Sequence, residues 1–333
     1  MSEARLTNAQ IDPEVFTDYT LEPSIYQSRF FNSGIIVRSA ILDNFLNGNG
    51  EVINLPFWKD TAGTTGDAPI EGTDATVNAI TSGSQKARKQ VRNKAWGTNN
   101  LVTVFAGSNP LDGAIQRVTN YWAQAFDQLA IKSFQGVLAD NIANDSSDIV
   151  NNISGETGTA AYFSDEAVID AQAKLGENGV VGFGDSSDFV AILVHPLVYA
   201  WMRKQDLIDF DPVSMQTRPM GSYMGMAVIV DRNAPVDTGV YDSFIFKAGA
   251  MAFGIGTQGY LPTELDRNIL DGFGVDRLVT RRAFALHPLG TAIKETNISG
   301  ITPTDAELAE AASWDRVVSA ENMPFVVLKH KIG

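Results

Sequence analysis

The chain has 333 residues, 44% hydrophobic and 19% charged, with a net charge of −14 and no cysteine. It can bury one large core or two ordinary ones, and it can carry no disulfide, thiolate nucleophile or cysteine-based zinc site. It has no run of eighteen apolar residues and no apolar signal core in MSEARLTNAQ. These absences predict a protein that neither spans a membrane nor is exported by that route and is kept in the cytosol, and the acidic surface disfavours general binding to phosphate backbones.

Residues 1–33 carry Phe16, Tyr19, Tyr26, Phe30 and Phe31 among polar residues, with Pro13 and Pro23 interrupting any long helix. Aromatic surface at this density is too costly to leave in water. It is buried either on the chain's own domain or, as an arm, on a neighbouring subunit; the sequence leaves both open. Ile35–Leu46 has the pattern of a short amphipathic helix, ended by the turn signal Asn47-Gly48-Asn49-Gly50.

Glu51–Trp58 reads as a strand and Leu101–Ala106 as its return. Between them, Lys59–Asn100 holds only Ile70, Val77, Ile80, Val91 and Trp96 as large apolar residues, too few for a core of its own. Its charges are sorted. Asp60, Asp67, Glu71 and Asp74 lie in the first half, and Lys86, Arg88, Lys89, Arg92 and Lys94 in the second. Such a segment is either a solvated insertion or a long two-stranded hairpin whose basic arm lies on an acidic neighbour. The second reading is favoured, because an extended hairpin is marginal without a surface to lie on.

Asn109–Asn141 is the longest helical pattern. Ile115, Val118, Trp122, Ala125, Phe126, Leu129, Val137 and Leu138 form one stripe, while Gln116, Arg117, Gln124, Lys132 and Gln135 face away. Asn109 as N-cap and Pro110 at the first helical position specify its start. Asn144–Gly158 reads as a surface loop. Ser164 caps a helix to about Leu175, closed by Gly176; Phe189–Val194 is a buried strand; Pro196 opens a helix through Gln205. Ala227–Val230, Tyr241–Phe246 and Val275–Leu286 read as further strands of an α+β or α/β domain with mixed order. Thr304-Asp305-Ala306-Glu307 fits the capping box, predicting a helix to about Trp314, and Pro324–Lys329 closes the chain as a strand.

Motifs for chemistry are weak. Gly254-Ile255-Gly256-Thr257-Gln258-Gly259 matches the dinucleotide pattern, but Tyr260-Leu261-Pro262 obstructs the helix that must follow, so turn glycines are the preferred explanation. His195, His287 and His330, with Asp206, Asp209 or Asp211, are the candidate metal ligands, and they lack a ligand spacing. There is no Gly-x-Ser-x-Gly elbow and no phosphate-binding loop. No catalytic residue, cofactor or metal is expected.

The order of parts resembles the major capsid proteins of tailed bacteriophages with the HK97-type fold. The resemblance rests on the Glu51–Gly107 excursion leading into Asn109–Asn141. It rests also on Thr302-Pro303-Thr304-Asp305-Ala306-Glu307-Leu308, Ser313-Trp314-Asp315-Arg316-Val317 and Phe325-Val326-Val327-Leu328-Lys329-His330 near the end. It implies an α+β coat subunit with an N-terminal arm (1–50), an extended hairpin loop (51–107) and a peripheral domain with the spine helix (108–163). A central axial domain (164–290) and a return to the peripheral domain (291–333) complete it.

The resemblance also implies self-assembly as hexamers and pentamers into an icosahedral shell around double-stranded DNA, assembled in the host cytoplasm. Scaffolding, portal and decoration proteins are the further partners, with scaffolding supplied separately or not at all, and an acidic lining would let DNA slide. Intersubunit contacts are expected from the charged hairpin residues above and from Phe16, Tyr19 and Tyr26. In some relatives a hairpin lysine is bonded to an asparagine of a neighbour; Lys86, Lys89 or Lys94 with Asn297 or Asn322 would be the counterparts, with salt bridges the default. The alternatives are an encapsulin-like compartment shell and a soluble nucleotide-binding enzyme built on Gly254–Gly259.

Overall fold

A computed structural model of the protein describes residues 29–59, 79–106, 109–176, 189–208, 221–256 and 259–333. In chain order α1 (Arg29–Asn32) leads into β1 (Ile36–Arg38), and Ser39 precedes α2 (Ala40–Leu46). The sequence pattern had Ile35–Leu46 as one helix. Its first part is instead a strand, because Ile36–Arg38 pairs in parallel with Met251–Phe253. β2 (Val52–Trp58) returns through β3 (Ser82–Arg88), with Val52 opposite Arg88 and Trp58 opposite Ser82. β4 (Gln90–Asn99) follows, and the predicted return strand Leu101–Ala106 is a helix, α3 (Asn100–Ala106). A short apolar run does not by itself separate strand from helix. Here the Asn99 carboxamide oxygen accepts from the Leu101 N–H at 2.8 Å and turns the chain into the helix.

The long helix α4 (Pro110–Asn144) begins as its sequence predicts, with the Asn109 side chain accepting from the Leu111 N–H at 3.1 Å. At 1.5 Å per residue it spans roughly 50 Å. Only its first half is a striped helix, and even there Ile115 is exposed. From Leu129 to Asn141 it is mostly enclosed: Ala130, Ile131, Phe134, Val137 and Leu138 are all buried. The helix leaves the face of one sheet and enters the junction between two.

Beyond α4 lie β5 (Val150–Asn152), α5 (Asp165–Ala173), β6 (Phe189–Val194), α6 (Pro196–Lys204), β7 (Ser222–Tyr223), β8 (Met226–Val230), β9 (Val236–Asp237) and β10 (Val240–Lys247). Then come β11 (Met251–Gly256), β12 (Thr263–Asn268), β13 (Val275–Pro288), β14 (Thr291–Ile293), α7 (Asp305–Ala309), β15 (Trp314–Arg316) and β16 (Phe325–His330). The Ser164 cap forms, accepting from the Ala167 N–H, and so does the Thr304/Glu307 box. Two sequence expectations change. Asn144–Gly158 includes β5, whose buried Val150 pairs with Val327. The helix after Thr304 stops at Ala309, because Trp314 is drawn into a strand with its indole N–H donating to the Leu308 carbonyl at 2.8 Å.

One sheet joins β1, β11, β13 and β12, with β4 on the opposite side of β13. The other runs β5, β16, β10, β6, β8, β7, with β9 on β10. Sheet membership cuts across residue 290: β11–β13 belong with β4 of the hairpin segment, while the closing strand β16 sits inside the second sheet. Phe325–Leu328 are all buried, as befits a strand covered on both faces. Phe134 of α4 meets Phe246 and Phe325 at ring-centroid distances of 4.7 and 5.2 Å, so the spine is fastened to that sheet by aromatic contact.

Candidate intersubunit surfaces

The chemistry-bearing motifs fold into structural roles. Gly254 and Gly256 lie in β11 beneath α2, where a Cβ on Gly254 would stand 2.6 Å from Leu42 Cβ and one on Gly256 2.8 Å from Leu46 Cβ. These glycines let a helix approach a strand; they do not turn amides toward a phosphate, and the nucleotide-binding reading falls with them. His195 caps α6, its Nδ1 accepting from the Leu197 N–H at 3.2 Å. His330 Nδ1 donates to the Lys331 carbonyl at 3.0 Å, leaving Nε2 to accept from the Ser243 hydroxyl at 2.9 Å. Burial holds both His287 and His330 down at about 4. Among the described residues no cluster of three or more His, Asp or Glu could hold a metal, and no helix is long and apolar enough to cross a membrane.

The predicted contact residues divide. Asp60, Asp67, Glu71, Asp74, Phe16, Tyr19 and Tyr26 lie outside the described residues. Phe30 and Phe31, from the same aromatic group, pack on their own chain: Phe30 against Phe246, Phe31 against Phe253 and Phe126. Arg88 is 7% exposed and donates to the Gly300 and Ile301 carbonyls at 2.9 and 3.0 Å, with Glu51 at 3.4 Å. Arg92 donates to the Pro303 carbonyl at 2.7 Å and pairs with Asp305 at 2.9 Å. These two arginines bracket the 300–305 loop and bind the base of the hairpin to the capping-box helix. Lys89 donates to the Gly48 carbonyl and stands over the Phe45 ring. Lys86 and Lys94 are exposed, Lys94 with its amine 5.9 Å from the Tyr121 ring centre. Asn297 is held within the chain, its amide donating to Glu310 and Ser313.

Two exposed surfaces stand out. At the end of the β2–β3 ladder, Trp58 is 74% exposed although it sits in a strand. At the turn joining β12 to β13, Ile269, Leu270 and Phe273 project into solvent, Leu270 at 90%, and Leu265 does so from within β12. Val104 and Phe105 are exposed on α3, which leaves the sheet at the same end, the Asn100 N–H donating to the Gly274 carbonyl at 2.9 Å. Cross-strand pairs Arg277–Asp266, Arg267–Asp276 and Arg281–Glu264 hold β12 on β13 below this tip. Sequence reading missed the tip, although Asn268-Ile269-Leu270-Asp271-Gly272-Phe273 signals a turn flanked by apolar residues that match neither helical nor strand periodicity.

No family model matches the chain. It is 34% identical over 335 aligned residues, 97% of each chain, to the major capsid protein of Bacillus phage SPP1. Among solved structures it resembles the capsid of Ralstonia phage GP4, with a TM-score of 0.61 at 11% identity over 100% of this chain and 99% of that one. The structure from Mycobacterium phage Che8 gives 0.56 at 17% identity, over 95% and 96% of the two chains. The Cyanophage Pam1 capsid gives 0.55 at 11%, over 97% and 98%. These likenesses carry the fold; the SPP1 relationship carries the family. Through that relationship the chain belongs to the major capsid proteins of tailed bacteriophages with the HK97-type fold, and is a structural, non-enzymatic coat protein of the virion capsid.

Proposed function

We propose that the subunit assembles as hexamers and pentamers into an icosahedral shell around phage double-stranded DNA, in the host cytoplasm where it is made. Residues 1–50 then serve as the arm and 51–107 as the reaching hairpin; because the sheets cut across residue 290, α4 with the sheet of β4, β11, β12 and β13 serves as the periphery and the sheet of β6, β8, β10 and β16 as the axial body. Portal, scaffolding and decoration proteins would meet the finished or forming shell.

The observation that carries this reading is the bare apolar tip of β12–β13. A large exposed apolar patch on a folded chain marks an interaction site, and for a coat protein the abundant partner is another copy. The hairpin supplies the second contact: Trp58, Lys86 and the acidic residues Asp60, Asp67, Glu71 and Asp74 belong on a neighbour, while Arg88 and Arg92 anchor the hairpin's base at home. A net charge of −14 gives the shell a surface on which DNA slides instead of adhering.

The test is negative-stain microscopy with sedimentation of the purified protein. Closed shells or capsomers are expected. Leu270→Ser with Phe273→Ser should keep the subunit's melting point and abolish closed shells; shells of normal yield would refute the role of the tip. Replacing residues 60–80 by Asn-Gly, a turn that fits the Lys59–Thr81 pairing, should likewise leave a folded subunit that fails to close.

A further inference from the structure

The turn that launches the hairpin holds two Asn-Gly pairs, Asn47-Gly48 and Asn49-Gly50, and all four residues are exposed. An asparagine before glycine is open to attack on its side-chain amide by the next main-chain nitrogen, because no Cβ shields that nitrogen. The fold treats the two pairs differently. Asn47 is the C-cap of α2, with φ −85° and ψ −6°. Its carboxamide donates to the Asp43 carbonyl at 3.0 Å, and the Gly48 N–H, the group that would attack, donates to the Phe45 carbonyl at 3.0 Å. Both reacting groups are tied to the helix. At the second pair, neither the Asn49 carboxamide nor the Gly50 N–H has a hydrogen-bond partner among the described residues. Gly50 has φ +105°, and a Cβ built on it would meet nothing nearer than 3.9 Å, so the space around its amide is open.

Lys89 fixes both flanks of this second pair. Its amine donates to the Gly48 carbonyl at 3.0 Å, and its backbone N–H donates to the Glu51 carbonyl at 2.8 Å. Asn49 and Gly50 thus bridge two anchored carbonyls, and β2 starts directly beyond the second, with Val52 opposite Arg88. The span between the anchors sets where the hairpin begins.

We infer that Asn49 is a site of spontaneous deamidation and that its isoaspartate product loosens the base of the hairpin. The Gly50 nitrogen, its proton taken by hydroxide, bonds to Asn49 Cγ; the Cγ–Nδ2 bond breaks, and the amide nitrogen leaves as ammonia with a proton from water. Water then opens the five-membered imide at either carbonyl, giving aspartate or isoaspartate, and nothing is oxidised or reduced. Isoaspartate routes the main chain through Cβ, which lengthens it by one carbon, about 1.5 Å. The modification also places a new negative charge between the anchors. A longer bridge between two fixed carbonyls pulls on the Lys89 bonds and shifts the start of β2.

The test incubates full-length subunits at mildly alkaline pH in heavy-oxygen water and maps them by peptide mass spectrometry, with fragmentation separating Asn47 from Asn49. Uptake of one heavy oxygen at Asn49 is expected. A hydrogen bond is worth about a factor of five, and two must open at Asn47, so Asn49 should convert at least about tenfold faster. A synthetic peptide of residues 43–54, in which neither pair is tied to a helix, should convert the two at similar rates. Equal conversion in the folded protein, or an Asn49 that stays intact while the peptide reacts, would overturn the site. Ion exchange isolates the more acidic, converted subunits, and hydrogen exchange then reads the Lys89 amide. Faster exchange is expected in the isoaspartate form, and unchanged exchange would overturn the loosening. Asn49→Ser, with no amide to lose, should keep slow exchange at Lys89 through the same incubation; faster exchange there too would remove Asn49 as the cause.

Discussion

Gly136→Ala tests how the spine is seated. In an exposed helix this substitution stabilises by about 1 kcal/mol, because glycine gives up more backbone freedom. At Gly136 the added methyl would overlap the Leu308 carbonyl oxygen and the Trp314 indole, standing 2.5 Å from its Cδ1. Neither neighbour can rotate aside, since Trp314 is buried and its indole N–H is bonded to that carbonyl at 2.8 Å. Overpacking a tight core costs about 1–3 kcal/mol, and pulling apart a buried hydrogen bond adds about 1–3 kcal/mol. Set against the helix gain, the net loss is about 1–5 kcal/mol. An unfolding entropy near 2.1 cal/mol/K per residue converts this to a melting point lower by about 1–7 °C for a chain of this length. Scanning calorimetry of unassembled subunits reads it. A melting point equal to or above that of the unsubstituted protein would show that α7 and β15 yield freely, and the seating argument would fail.

Gly254→Ala should also lower the melting point, by the same overpacking logic against Leu42, and millimolar dinucleotide should leave the parent protein's melting point unmoved; a ligand-dependent rise would restore the nucleotide reading. Arg88→Ala removes hydrogen bonds to the Gly300 and Ile301 carbonyls, so amide exchange across 298–304 should quicken markedly. Glu51→Ala should change it little, because that carboxylate is 60% exposed. Hydrogen bonds from the Thr304 and Ser299 backbone hold the Glu307 carboxylate down at about 2. Its folded-state value lies below the ordinary 4.5, so its contribution is complete above that pH and disappears as pH falls through about 2. The stability gap between the parent protein and Glu307→Gln should therefore close over that window. Burial keeps His330 neutral in the fold to about pH 4, against an ordinary 6.5. Acidification from 6.5 toward 4 then favours the unfolded chain, and NMR titration should find this imidazole changing charge near 4.

What the sequence made legible was local. Asn109-Pro110, Ser164 and the Thr304/Glu307 box each specify a helix start through bonds spanning two or three residues, and all three form. The polar strand Ser82–Arg88 was not legible, because its place comes from register against β2 and from Arg88 reaching the 300–305 loop. Leu101–Ala106 misled for the complementary reason: its apolar pattern fits a strand, but Asn99 bends the chain away before it can pair. Trp314 leaves the predicted helix for a partner, Gly136, far away in sequence. Of the surfaces, the charged hairpin showed in composition, whereas the β12–β13 tip did not, since a few apolar residues around a turn look like an unremarkable loop until the fold leaves them uncovered.

The spine is fastened to both sheets, and this has consequences for assembly. Phe134, Phe246 and Phe325 tie α4 to the second sheet, and Trp122 ties it to the first, its indole N–H reaching Thr280 of β13 at 3.2 Å. A contact made at the apolar tip is therefore transmitted along β13 to the spine instead of being absorbed by a hinge. In a closed symmetric shell each copy repeats the same few contacts, and small free energies per contact add over many neighbours. Such addition requires that satisfying one contact keeps the others in register. A spine fastened to both sheets, with exposed apolar residues where β12 turns into β13, meets that requirement; softening the spine should widen the distribution of shell shapes before it lowers the number of subunits that fold.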